Sequence, residues 1–329
     1  MYRLRTLRGG SFSVFIILML LTGTRNGMAQ QPSGTANTQP GTKWSEEQLR
    51  QAAGMARVGK KLTPKSWPGN ARVAVCLSFD VDNESYLLAA GETAPTALSA
   101  GDFGAQSGLP RILKMLDHYQ VPATFFIPAV SALLHPEMIP AILKSGRNEI
   151  GVHGWIHESP PRLEAGEEER LMDQAIEYLT KAAGKRPVGY RAPGWRFSSN
   201  TLNLLRKKNF LYDSSLQAMD EPYEILSGGE PTGMVELAID WTLTETPYLG
   251  PGGTMPLPQN LFQLFREEFD GAYNDGTLFV LTLHPHVSGH RAPMKYLDEF
   301  VAYMKSKPGV WFATGAQIAE YVKTAQPAK

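Results

Sequence analysis

The chain has 329 residues, 43% hydrophobic and 19% charged, which suits one large globular core or two modest ones and excludes a disordered protein. Its 32 basic and 32 acidic side chains cancel, and without residues 1–29 the balance is 28 against 32, a poor surface for nucleic acid. The single cysteine, Cys76, excludes an intramolecular disulfide, and its place in VAVCLSF predicts a buried small hydrophobe rather than a catalytic thiol.

Residues 1–29 read as a secretory signal: Arg3, Arg5 and Arg8 precede the apolar SFSVFIILMLLT, and Gly27-Met28-Ala29 offers a cleavage site. That run falls short of the ~20 residues that span a bilayer. The expectation is therefore a cleaved leader and a periplasmic or secreted mature chain that does not span the membrane. Residues 30–43, rich in Gln, Pro, Thr and Gly, predict a flexible linker, and 44–69 an N-terminal lead-in helix opened by Ser45 and Gln48 in a capping pattern.

From residue 70 to about 325 short apolar runs read as strands: RVAVCLSFD, PATFFIP, EIGVHGW, PVGYRAP, FLYDSSL, MVELAIDW, TLFVLTLHP and VWFAT. Between most of them lie helical patterns such as LPRILKMLDHY and EERLMDQAIEYLTKAAG. The alternation predicts a single α/β domain, a distorted parallel (β/α) barrel of about seven strands, and no glycine-rich phosphate turn supports an open nucleotide-binding sheet. One connection, residues 83–109, is anomalously long and predicts a lid or a subunit contact, the latter implying a homo-oligomer.

Asp80, His153, Arg191, Asp213, Asp240 and His284 all fall at or just past predicted strand ends, which converge on one mouth in a β/α barrel. In SFDVDNES, Asp80, Asp82 and Glu84 would repel one another without a positive charge among them. In EIGVHGWIHES, one helical turn would set His153 and His157 on one side, and two such histidines plus a carboxylate form a three-ligand metal set. Arg191, a planar fork, is suited to orienting an acidic neighbour. Asp213 and Asp240 suit either the site or a helix cap. Trp155 and Trp241 read as packing, His286 as substrate contact or loop support, His290 as loop support, and His118 and His135 have no assigned role.

The ordered motifs SFDVD, GVHGWIHE, YRAPGW and LTLHPH resemble the NodB-homology polysaccharide deacetylases over about residues 70–325, most closely the branch with Helicobacter-type peptidoglycan deacetylase homologues and metal-independent allantoinases. The resemblance implies a deacetylase catalytic domain that hydrolyses amide C–N bonds with a divalent metal, Zn²⁺ first and Co²⁺, Ni²⁺ or Fe²⁺ as alternatives. By the same resemblance Asp80 is the general base, Asp82, His153 and His157 are metal ligands, Arg191 tethers the base, His284 is the general acid and Trp195 walls the pocket. Val81 separates aspartates that are usually adjacent, so their division of labour stays open, with Asp82, further out, favoured as ligand. Glu84 and His286 are candidate substrate contacts. The implied substrate is an N-acetylated amino-sugar polymer such as peptidoglycan; a small cyclic amide, imide or ureide is the alternative, and an inactive carbohydrate-binding barrel the third reading.

Overall fold

The computed structural model describes residues 39–164, 166–254 and 257–325. The predicted signal and most of the linker lie outside the described residues. The chain divides into a unit ending at Ser45, in which Pro40–Lys43 makes a 3₁₀ turn, and a unit from Glu46 onward that holds everything below. Among the described residues no helix is long and apolar enough to cross a membrane.

A helix over Glu46–Gly54 leads into β1 (Arg57–Lys61). The sheet continues with β2 (Val73–Asp80), β3 (Thr124–Ile127), β4 (Glu149–Val152), β5 (Gly189–Tyr190), β6 (Tyr212–Asp213), β7 (Tyr223–Ser227), β8 (Glu230–Glu236), β9 (Leu278–Leu283) and β10 (Val310–Phe312). From β2 through β3, β4, β5 and β6 to β8 every pairing is parallel, and β9 and β10 also pair β2 in parallel. The sheet curls into a half-barrel, and a parallel bridge between Thr244 and Thr282 brings the segment after β8 against β9. The expected parallel α/β architecture is therefore present.

β2 is central because all eight of its residues are buried, with β9 on one side and β3 and β10 on the other. Such a strand reads as one continuous apolar run, as VAVCLSF does. Helices cover the outside. In Leu109–Tyr119 the buried residues Leu109, Ile112, Met115 and Leu116 follow the helical period, and Pro258–Asp275 buries Leu261, Phe262, Phe265 and Phe269 in the same way. Each such side chain contributes roughly 1.5–3 kcal/mol by leaving water.

Two expectations are corrected. The lead-in is not helix alone: β1 joins β7 and β8 as an antiparallel extension of the sheet, with β7 and β8 turned at Gly228-Gly229, both at positive φ. Residues 83–109 are not a loop either, but form helices Ser85–Ala89 and Pro95–Phe103, then a π-helical turn over Gly104–Gly108 that runs into Leu109–Tyr119. The Ala, Gly, Ser and Thr content gives this helix no apolar stripe to read. Its glycines have a steric reason. A Cβ on Gly101 would fall 2.6 Å from the carbonyl carbon and oxygen of Asn83, and those on Gly104 and Gly108 would overlap the Asn83 side chain and the Pro285 carbonyl.

The insertion is thereby pressed onto the segments carrying Asp82 and His284. Gly101→Ala is expected to cost about 1–3 kcal/mol by overpacking backbone that cannot yield. A lowered urea midpoint at unchanged m-value checks this, and an unchanged midpoint would mean that the insertion does not press on Asn83.

Candidate active site and metal centre

At the mouth of the half-barrel, Asp80 ends β2, His153 follows β4, Arg191 follows β5 and His284 follows β9. Asp82 lies two residues beyond β2, where the buried Val81 donates its N–H to Phe126 O, 2.9 Å away, and holds the chain in place after the strand ends. The two aspartates still face the same centre.

Arg191 is buried completely and spends its donors on fixed partners. Nη1 donates to Asp80 Oδ1 at 2.7 Å and Ser78 Oγ at 3.0 Å, Nε to Ser214 O at 2.8 Å and Nη2 to Ser214 Oγ at 2.8 Å. The guanidinium also lies over the Phe126 ring, 4.1 Å from its centroid. Ser78 shares the face of Asp80 because strand residues alternate. Burial pushes the Asp80 carboxyl up, but the charges of Arg191, His153 and His284 outweigh it and hold the group below the usual carboxylate range. Oδ1 is occupied by Arg191, leaving Oδ2 facing His153 Nε2 at 3.8 Å and His284 Nε2 at 3.9 Å.

Asp82 is the opposite case. Its buried Oδ1 has no hydrogen-bond partner, and burial, offset only in part by His153 and His284, raises its carboxyl. Oδ1 lies 3.5 Å from His153 Nε2 and Oδ2 lies 3.7 Å from His157 Nε2. These separations are too long for hydrogen bonds but suit three donors around one cation at ~2.0–2.2 Å from each. His153 Nδ1–H donates to Arg191 O at 2.7 Å, which leaves Nε2 with its lone pair toward the centre. Burial keeps both imidazoles uncharged, lowering His153 and taking His157 down to about 4. The donor set fits a divalent metal.

The route by which His157 arrives corrects the sequence expectation. No helical turn follows β4; the chain turns at Gly154, φ 77°, and His157 itself adopts φ 66°. Glu158 stabilises the turn, its carboxylate accepting the N–H groups of Trp155 and Ile156 at 2.8–3.0 Å. The imidazole centroids end 5.1 Å apart.

His284 has a partner that the sequence did not reveal. Glu245, wholly buried, accepts the His284 N–H at 2.6 Å and the Ser288 hydroxyl at 2.9 Å, with its Oε2 3.2 Å from His284 Nδ1. Burial opposes charge on His284, but Glu245, Asp82 and Asp80 outweigh it and raise the imidazole to about 9. An acid placed between two predicted elements carried no motif. No local signal could have found it, because its contact with His284 spans 39 residues and forms only when Thr244 bridges to Thr282 in the fold.

The remaining candidates divide. Trp195 packs against Trp241 with ring centroids 4.2 Å apart and planes tilted by 42°, so both belong to one aromatic wall. Trp155 packs on Tyr178, as expected of a packing residue. His286 stacks on Tyr86, whose ring also meets the edge of His157; burial lowers His286 to about 3, and its Nδ1 lacks a partner. His290 lies flat on Phe103 at 3.9 Å. Asp240 accepts the Thr242 N–H as a cap, and Asp213 is engaged by Ser215. Cys76 is buried and its thiol is pushed up to about 12, as the inert reading expects.

Glu84 turns away from Asp82, His153 and His157 to His135, whose Nε2 donates to its oxygens at 2.9 and 3.0 Å. His135, which had no assigned role, thus ties the start of the insertion to the helix Ala129–Leu134. Asp102 completes a second group of potential ligands with this pair. Here, however, the imidazole contacts the carboxylate directly, with no room for an ion between them. The Glu84 hydrogen bond, against the effect of burial, raises His135, consistent with an ion pair.

Because His284 is raised above its unfolded value of 6.5 to about 9, its pairing stabilises the metal-free protein fully below pH 6.5 and is lost as pH rises through 9. The melting temperature of the wild type should exceed that of Glu245→Gln at pH 6 and converge on it by pH 9.5, in parallel with NMR titration of the imidazole. A difference constant with pH would remove Glu245 as the cause.

Comparison with known proteins gives the same direction as the geometry. The polysaccharide deacetylase family matches residues 92–212, a stretch that includes His153, His157 and Arg191. A peptidoglycan deacetylase of Helicobacter pylori is 30% identical over 289 residues, 78% of this chain and 98% of its own. Among solved structures, a Mycobacterium smegmatis protein described as a polysaccharide deacetylase superposes with a TM-score of 0.74 at 36% identity, covering 83% of this chain and 98% of that one. Puue allantoinase superposes at 0.72 and 26% identity, covering 80% and 94%. Similarity along nearly the whole of the Helicobacter pylori protein settles the family: this chain is a member of the polysaccharide deacetylases, hydrolases of carbon–nitrogen bonds other than peptide bonds.

Proposed function

We propose that the protein removes N-acetyl groups from an amino-sugar polymer such as peptidoglycan, using a divalent metal, Zn²⁺ first among candidates, held by Asp82, His153 and His157. The observation that carries this reading is the unequal treatment of the two aspartates: Asp80 is saturated on one oxygen by Arg191, whereas Asp82 keeps a buried orphan oxygen between two uncharged histidines. When bound, the metal polarises the amide carbonyl and makes water acidic enough to attack near neutral pH.

The chain's own groups supply the proton transfers. Asp80 Oδ2, on a carboxylate kept ionised, accepts the proton of the attacking water. His284, raised to about 9 and so protonated at neutral pH, gives a proton to the departing nitrogen, which would otherwise leave as a poor anion. Trp195, against Trp241, provides an apolar wall for the acetyl group or sugar. The leader predicted over residues 1–29 supports export to where such polymers lie. A small cyclic amide or ureide is the second reading, favoured by the likeness to Puue allantoinase and by the helical insertion over Asn83 at the edge of the mouth.

Acetate release from N-acetylated chitooligosaccharides tests the proposal. Chelation should reduce it by about 100-fold or more, with recovery on adding Zn²⁺ to the wild type and none for Asp82→Ala. Undiminished activity after chelation would overturn the metal role, and ring opening of a cyclic ureide without acetate release would favour the second reading.

A further inference from the structure

A second acidic pair lies behind the site and takes no part in the reaction just described. Asp213 and Glu236 are register partners on the parallel strands β6 and β8, and neither is exposed. Both carboxyl groups accept the same N–H, that of Ser215, at 3.0 Å, and Glu236 Oε2 is buried with no donor reaching it, the one oxygen of the pair free to carry a proton. Every other oxygen of the pair accepts from the chain just past β6. Glu236 Oε1 takes the N–H groups of Ser215 at 3.0 Å and Leu216 at 2.9 Å; Asp213 takes the Ser215 N–H at 3.0 Å and its hydroxyl at 2.9 Å.

Those contacts fix the residues that hold Arg191. Ser214 accepts from Nε and Nη2 of the guanidinium, and Ser215 Oγ accepts the N–H of Ala192, the residue after Arg191. The carbonyl of Arg191 in turn accepts from His153. A displacement at residues 213–216 would therefore reach Asp80 through the guanidinium and His153 through the backbone.

Charge counting explains why the pair keeps its proton. Arg191 already neutralises Asp80, so full ionisation of Asp213 and Glu236 would leave two more negative charges beside one buried guanidinium. The ionisable groups facing the pair are Arg191 after β5, Tyr190 in β5 and Tyr223 in β7, and both tyrosines are themselves pushed up by burial. Burial drives Glu236 well above the carboxylate range and Asp213 to about 6.

We infer that Asp213 and Glu236 form a protonated clamp, with the proton on Glu236, that positions Arg191 by fixing Ser214 and Ser215. The activity arm of its test rests on the proposed function, but the stability arm does not. In Glu236→Gln an amide N–H replaces the acid proton, so kcat for acetate release should stay within about twofold of wild type. In Glu236→Ala kcat should fall by about tenfold or more while KM moves less than about threefold, because the clamp aims a reacting group rather than binding substrate.

The second readout is the melting temperature against pH. With Glu236 raised above its ordinary 4.5, its stabilisation is full below pH 4.5 and is lost as pH rises toward the folded value. The wild type should therefore lose stability relative to Glu236→Gln as pH climbs. A difference that stays flat with pH, a folded Glu236→Gln as inactive as Glu236→Ala, or a fully active Glu236→Ala would each overturn the clamp. Should Glu236→Ala fail to fold, both readouts on Glu236→Gln still decide. Absence of acetate release from the wild type would count against the proposed function and leave the stability arm to decide the clamp.

Discussion

The buried contact between Arg191 and Asp80 is the constraint on which the rest of the site depends. Two aspartates two residues apart at the end of one strand would be nearly interchangeable in water. Removing water and giving one of them a guanidinium at 2.7 Å makes them different. Breaking such a buried pair typically costs about 3–5 kcal/mol, because the remaining charge is left without compensation. That cost locks Asp80 into one orientation and leaves Asp82 as the carboxylate with an unused oxygen.

The same logic is repeated around the mouth, with each polar group that faces the centre held by a second residue behind it. His153 is aimed by the Arg191 carbonyl, His284 by Glu245, His157 by a turn tied to Glu158, and Arg191 by Ser78 and Ser214. The electrostatic outcome is a sorted site. Two imidazoles are depressed and uncharged where a cation would sit, while the third is raised and charged. Burial alone would have lowered all three, and the buried Glu245 carboxylate, with help from Asp80 and Asp82, makes the difference.

Much of this was legible in the chain because strands write a simple code. VAVCLSF reads as a doubly buried parallel strand, and the polar residues that end such runs mark the mouth. What escaped the sequence had no periodicity. The insertion over 85–108 is helical through tight contact of glycines with Asn83 and Pro285, an effect of tertiary packing that no local pattern records. The HxxxH spacing suggested a helical turn, but Gly154 and a left-handed His157 bring the rings together in a loop. Glu245 and His135 were missed because each finds its partner far along the chain, 39 and 51 residues away.

The division of labour between the aspartates is most directly read by loading Co²⁺ into the Asp80→Asn protein and recording its visible spectrum and stoichiometry. If Asp82, His153 and His157 hold the metal and Asp80 only moves protons, this variant binds one Co²⁺ per chain with the wild-type spectrum and does not turn over. Loss of the ion, or a spectrum reporting a changed ligand set, would place Asp80 in the coordination shell and contradict the account.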